Sequence, residues 1–123
     1  MENRIEIWKD AYSYEGIIQV SNFGRMYNLI KGTFLKSNIG KSAYLGCTLK
    51  KDEDIKFKTI HRFVAIAFIE NPKKLKYVNH IDGNKLNNND NNLEWVSARE
   101  DTNHYLCVLH ELFHNRNSFL LFA

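Results

Sequence analysis

YVNHIDGNKLNNNDNNLEWVSAREDTNH, residues 77 to 104, decides how the rest of the chain is read. An extended apolar pair, Tyr77 and Val78, leads into Asn79 and His80, and a long Asn/Asp-rich loop separates these from a second extended segment over residues 93 to 96. Ser97 and Glu100 then have the spacing of a capping box, in which the Ser side chain bonds the amide of the third helical residue and the Glu reaches back to the Ser amide. A helix is expected to start there. Asp101 and His104 lie three apart on it, so a carboxylate and an imidazole project from one face. If that helix packs across the hairpin they meet Asn79 and His80. Adjacent strand residues point to opposite faces, so Asn79 and His80 serve one site only where the strand ends or twists, which the Asp82-Gly83 turn permits. These are parts from which a metal-dependent phosphodiesterase site can be made.

Working outward, 123 residues with 44% hydrophobic and 13% aromatic side chains have the material for one modest core rather than a disordered chain. Charge is unevenly spread. Residues 1 to 76 hold 14 Lys/Arg against 8 Asp/Glu, whereas residues 77 to 123 hold 3 against 6. A basic half joined to a half with candidate ligands suits a protein that neutralises phosphates with one part and presents a metal site with the other. Cys47 and Cys107 lie far apart in apolar surroundings, without zinc spacing or a disulfide framework, and are expected as buried thiols. The N-terminus carries acidic residues and no apolar run, so no signal peptide is expected, and no stretch approaches membrane-spanning length. A cytoplasmic protein with no membrane partner is the expectation.

The first thirty residues read as a small β unit. Ile5 and Ile7 alternate with Glu6, residues 17 to 20 are β-rich, and the run Ser21-Asn22-Phe23-Gly24-Arg25 turns the chain, with Gly24 at positive φ. Trp8 and Tyr14 are expected to cover one side of this sheet. Further strands are expected at residues 33 to 36, 43 to 49 and 55 to 60, the last two separated by a charged turn over residues 50 to 54. Their lysines, with Tyr27 and Tyr44, would form a basic, aromatic sheet face suited to a nucleic-acid backbone. HRFVAIAFI, residues 61 to 69, reads as a short core helix ended by Asn71-Pro72. His61 opens it, as a structural residue or a phosphate contact beside Arg62. Lys73, Lys74 and Lys76 follow in the linker.

The residues from Asn79 to Asn88, followed by Asn91-Asn92-Leu93-Glu94-Trp95-Val96, resemble the HNH endonucleases of the homing type. His61-Arg62-Phe63-Val64-Ala65 looks like the helix those proteins carry upstream. Trp8-Lys9-Asp10, Tyr14-Glu15-Gly16 and the stretch from Gln19 to Arg25 look like the DNA-binding module that often accompanies the nuclease in phage and intron-encoded enzymes. The resemblance implies an α+β chain: an N-terminal antiparallel β unit for DNA binding (residues 1–60), a ββα-metal, or His-Me finger, nuclease core (61–104), and an apolar C-terminal helix or tail (105–123).

What it implies for the site is specific. His80 corresponds to the base that activates water, Asn92 to the middle Asn that orients the histidine and ties the loop, and Asn79, Asp101 and His104 to metal ligands. Relatives often have Asp before the histidine and Asn or His on the helix, so the carboxylate has changed sides here. One divalent metal is implied, Mg²⁺ first and Mn²⁺ as the alternative, because hard oxygen donors with retained waters suit it. Arg25, Lys36, Arg62, Lys73, Lys74 and Lys76 are expected on double-stranded DNA, with His61, Asn84 and Asn87 in support. The rest of the Asn run is read as loop without chemistry.

A rival class is a DNA-binding module whose HNH site has degenerated through Asn79. A literal HExxH, His110 to His114, is set aside as a zinc peptidase signature, since no third ligand or peptidase sheet is evident. The apolar run at residues 119 to 123 packs on the core, offers a homodimer contact, or stays exposed.

Overall fold

The computed structural model describes residues 4–98, and the architecture is α+β with antiparallel sheets. Asp101, His104, Cys107, the HExxH segment, the apolar tail and the Glu100 half of the capping box lie outside the described residues. The N-terminal sheet has strands β1 (Trp8–Asp10), β2 (Ile18–Ser21), β3 (Met26–Asn28) and β4 (Thr33–Phe34) in that spatial order. A second sheet holds β5 (Asn38–Ile39), β6 (Leu45–Lys51) and β7 (Asp54–Thr59), and the hairpin of β8 (Tyr77–His80) and β9 (Leu93–Val96) makes a third. Between them lies α1 (Ile60–Phe68), which follows β7 with no intervening loop.

Two of these elements differ from the expected ones for a plain reason. The charged turn shrinks to Asp52 and Glu53 because Lys51 still pairs with Asp54, and Asp52 at φ +56° adopts the left-handed conformation that Asp tolerates. Trp8 and Tyr14 cover different sides of the first sheet. Alternation along β2 sends Ile18 and Val20 into the core, where Tyr14 packs edge-on to Phe63 with ring centroids 6.0 Å apart. Trp8 instead joins Tyr27 and Phe34 outside that core, at 6.2 and 5.9 Å.

One buried cluster runs through the described chain, from Ala11, Ile18, Val20 and Met26 through Cys47, Leu49, Ile60 and Val64 to Val78 and Leu93. Helix α1 supplies the centre: Ile60, Phe63, Val64 and Ala65 are buried on the face that meets the strands. Its end is fixed from outside. Trp95 Nε1 donates to the Ile69 carbonyl (3.1 Å), and the Asn71 side chain brackets Leu75 with two hydrogen bonds, one to each backbone polar group. Among the described residues no helix is long and apolar enough to cross a membrane.

Cys47 is 1% exposed, and burial pushes its thiol up to about 11. In a Cys107→Ser chain, a thiol reagent should therefore react with Cys47 only as fast as the fold opens. A rate that is independent of urea below the unfolding transition, and equal to that of a free thiol, would contradict this packing.

Candidate functional site

His80 closes strand β8, and its register partner on β9 is Leu93. The chain turns immediately after it: Gly83 N donates to the His80 carbonyl (2.9 Å) and Ile81 N to the Asn92 carbonyl (2.8 Å). His80 is 5% exposed and Nε2 donates to Asn88 Oδ1 at 2.7 Å. Tyr44 and His61 close over the ring. The Tyr44–His61 pair is stacked at 4.5 Å between centroids, Tyr44–His80 lies at 5.8 Å and His61–His80 at 5.1 Å. Lys85 Nζ sits 4.8 Å from the Tyr44 ring.

Burial is the main influence on both imidazoles. It pushes His61 down to about 3, with the charges of His80, Arg62 and Lys85 acting in the same direction. It also holds His80 below the ordinary imidazole range, although the bond to Asn88 and the nearby Asp82 carboxylate pull the other way. Both rings are thus neutral at physiological pH, the form that can take a proton. His61 Nδ1 and Asn88 Nδ2 are buried with no hydrogen-bond partner among the described residues.

The loop is organised by Asp82. Its Oδ1 accepts from Asn84 N (2.8 Å) and Asn92 Nδ2 (2.9 Å), and its Oδ2 from Asn87 Nδ2 (3.1 Å). Asn92 answers with its own Oδ1, which accepts from Asp82 N (3.1 Å), while its Nδ2 also reaches the Asn87 carbonyl (2.9 Å). Burial raises the Asp82 pKa, but the hydrogen bonds from Asn84, Asn87 and Asn92 outweigh it and leave the group below its ordinary value. Asn84 and Asn87 lie inside this web as expected loop-tying residues. Asn92 lies there too, but the side chain on the histidine is that of Asn88, not Asn92. Both are asparagines in one run, and only the fold of the loop separates their roles.

Asn79 and His80 keep different company. Asn79 pairs in register with Glu94, and its Nδ2 donates to Glu94 Oε1 at 3.5 Å, which turns its amide oxygen away from that carboxylate. Among the described residues no three His, Cys, Asp or Glu side chains form a metal-holding group. An amide oxygen at Asn79 and a carboxylate at Asp101 are hard donors of the kind Mg²⁺ takes, so the donor chemistry fits.

The expected DNA contacts divide into two groups. Lys36, Lys73, Lys74 and Lys76 are exposed. Arg62 is engaged, donating to the Lys76 carbonyl (2.8 Å) with its guanidinium 5.6 Å from the Trp95 ring. Arg25 makes two bonds to Glu6 (2.9 and 2.6 Å) and lies 4.5 Å over Phe34. Tyr44 belongs to the histidine stack rather than to an open basic face, because the turn from Gly40 to Tyr44 delivers it to the start of β6 beside α1.

Residues 58–103 match the HNH endonuclease family, and residues 6–50 match the NUMOD4 motif. DNA endonuclease I-HmuI of Bacillus phage SP01 is 44% identical over 92 residues, 75% of this chain and 53% of that protein. A solved structure described as DNA binding and cleavage by the HNH homing endonuclease I-HmuI superposes with a TM-score of 0.74 at 39% identity, over 82% of this chain and 58% of that one. The chain carries an HNH endonuclease segment over residues 58–103. An uncharacterized HNH endonuclease of Acanthamoeba polyphaga mimivirus is 42% identical over 97 residues, and this chain spans only 29% of its length. The chain therefore spans about half, or less, of the length of these curated relatives. HNH nucleases generally use a divalent metal.

Within this HNH unit, Asn92→Ala removes three hydrogen bonds around a buried position and should cost about 2 kcal/mol of stability in urea unfolding. Asp82 adds a pH signature. Its folded pKa lies below the ordinary 3.8, so its stabilisation is complete above that value and is lost as the pH falls through the folded value. The gap in urea midpoint between wild type and Asp82→Asn should narrow below about pH 4. A gap that widens on acidification would contradict the web.

Proposed function

We propose that the chain is a DNA endonuclease that hydrolyses a phosphodiester bond, with His80 as the base that takes a proton from the attacking water. The observation that carries this is the placement of His80: a neutral, buried imidazole fixed at a strand end inside the segment that matches the HNH family. A general base needs this fixed orientation before it needs any particular basicity.

Asn79 and Asp101 are the residues we assign to a divalent cation, Mg²⁺ in the first place, with His104 as a further ligand or phosphate contact. When bound, such an ion supplies Lewis-acid stabilisation of the scissile phosphate and the leaving oxygen. Water attack at phosphorus with loss of the 3′ oxygen yields a 3′-hydroxyl and a 5′-phosphate. One HNH site cuts one strand, so a nick is the expected product and a double-strand break needs a second copy or a second visit. Lys73, Lys74 and Lys76 form an exposed basic linker directly before β8, suited to neutralising a backbone as it passes His80. The similarity to the Bacillus phage enzyme and to the solved HNH homing endonuclease structure supports action on DNA in a bacterial or phage-infected cytoplasm, and a homing role. A homodimer through the apolar tail remains part of the proposal for double-strand cutting.

The alternative, a DNA-binding module without chemistry, is favoured by one observation: Asn at position 79 where a carboxylate would bind an ion more tightly. Nicking of supercoiled plasmid separates the two. Relaxation should require Mg²⁺, stop on addition of a chelator, and fall by about a hundredfold or more in His80→Ala. Plasmid binding without relaxation at any divalent concentration would establish the alternative instead.

A further inference from the structure

We propose that Asn88 is the positioning residue of this nuclease, fixing which nitrogen of His80 carries the proton, and that the N-terminal unit takes part through Gly24. The inference rests on the reading of His80 as the base.

Three observations converge on Asn88. Its side-chain oxygen accepts from His80 Nε2 at 2.7 Å, so a neutral ring keeps its proton on Nε2 and its lone pair on Nδ1. Its Nδ2 is buried without a partner among the described residues, and Asn88 itself is only 4% exposed. A buried amide with half of its hydrogen-bonding capacity unspent is a poor choice for stability, and an apolar side chain of the same size would avoid the cost. The contact to His80 is what such an amide contributes.

The third observation is what holds Asn88 in place. Gly24 sits at φ +86°, and a Cβ there would lie 2.9 Å from Asn88 Cβ and 3.1 Å from the Asn88 carbonyl oxygen. The turn of the N-terminal sheet is thus pressed directly against the residue that holds the base. Its neighbours fasten the same joint. Asp90 N donates to the Asn22 carbonyl (2.9 Å), Arg4 pairs with Asp90 and bonds Asn89, and Asn22 Oδ1 accepts from Ile7 N (2.7 Å). The segment matching NUMOD4 is therefore a wall of the catalytic site as well as a neighbour of it.

The test uses the full chain, with plasmid nicking and nitrogen NMR of the histidine rings in metal-free protein. Asn88→Leu keeps the branch at Cγ with a somewhat larger side chain and removes the acceptor. It should lower kcat by about tenfold to a hundredfold with KM for DNA within about twofold of wild type, and the His80 signals should shift from one tautomer to a mixture. Asn88→Asp, which keeps an acceptor, should restore the single tautomer and most of kcat. Gly24→Ala leaves Asn88 intact and should move the His80 signals and kcat in the same sense as Asn88→Leu. Wild-type kcat and unmoved ring signals in Asn88→Leu and Gly24→Ala, beside an inactive His80→Ala, would overturn the positioning role alone. An active His80→Ala would instead overturn the reading on which it rests.

Discussion

The hydrogen-bonded web on Asp82 is the constraint from which the rest of the site follows. A chain segment rich in Asn and Asp has no apolar face to bury and would otherwise cost backbone entropy without return. Here one carboxylate collects Asn84, Asn87 and Asn92, and Asn92 returns a bond to the Asp82 amide. The loop between β8 and β9 is thereby closed on itself. Once closed, it can carry a single short turn, Asp90–Asn92, whose position sets Asn88 under His80. Catalytic geometry in this molecule is a consequence of loop geometry, and loop geometry is a consequence of one charge surrounded by amides.

Packing completes what the web begins. Helix α1 supplies His61 at its first turn and its apolar face to the same core that holds Val78 and Leu93 on either side of the loop. The stacked Tyr44, His61 and His80 rings are therefore anchored on three elements: the approach to β6, the start of α1 and the end of β8. Removing water from this stack depresses the basicity of both histidines and keeps them uncharged side by side, which two charged imidazoles at that spacing could not be.

Much of this was legible in the amino-acid order. Alternation over residues 17 to 20, the density of apolar residues over 61 to 69, and the placement of His80 before a turn all lead to the observed elements. Asn88 was not legible. Six consecutive residues of nearly identical chemistry, Asn87 to Asn92, carry no periodic signal, and which amide meets the histidine is decided by backbone dihedrals that composition does not encode. Asp82 reads as a turn residue in the sequence because a hub and an ordinary Asx turn look alike in one dimension. Tyr44 reads as part of an open face because its direction depends on where β6 starts, and element ends are the weakest part of any reading from pattern. Trp8 and Tyr14 were separated by a register that only the pairing of Trp8 with Ser21 reveals.

The buried cluster of the described residues has one more implication, for how such a chain could be taken apart. Ile18, Val20 and Met26 on one side of the stretch between the two family matches share their interior with Ile60, Val64 and Val78 on the other. Parting the two matched segments from each other would lay both oily surfaces bare at once. Whatever freedom these two sequence motifs have to travel separately among genes, in this molecule they have been annealed into one body, and grafting either onto a new neighbour would require that neighbour to supply the missing half of the interior.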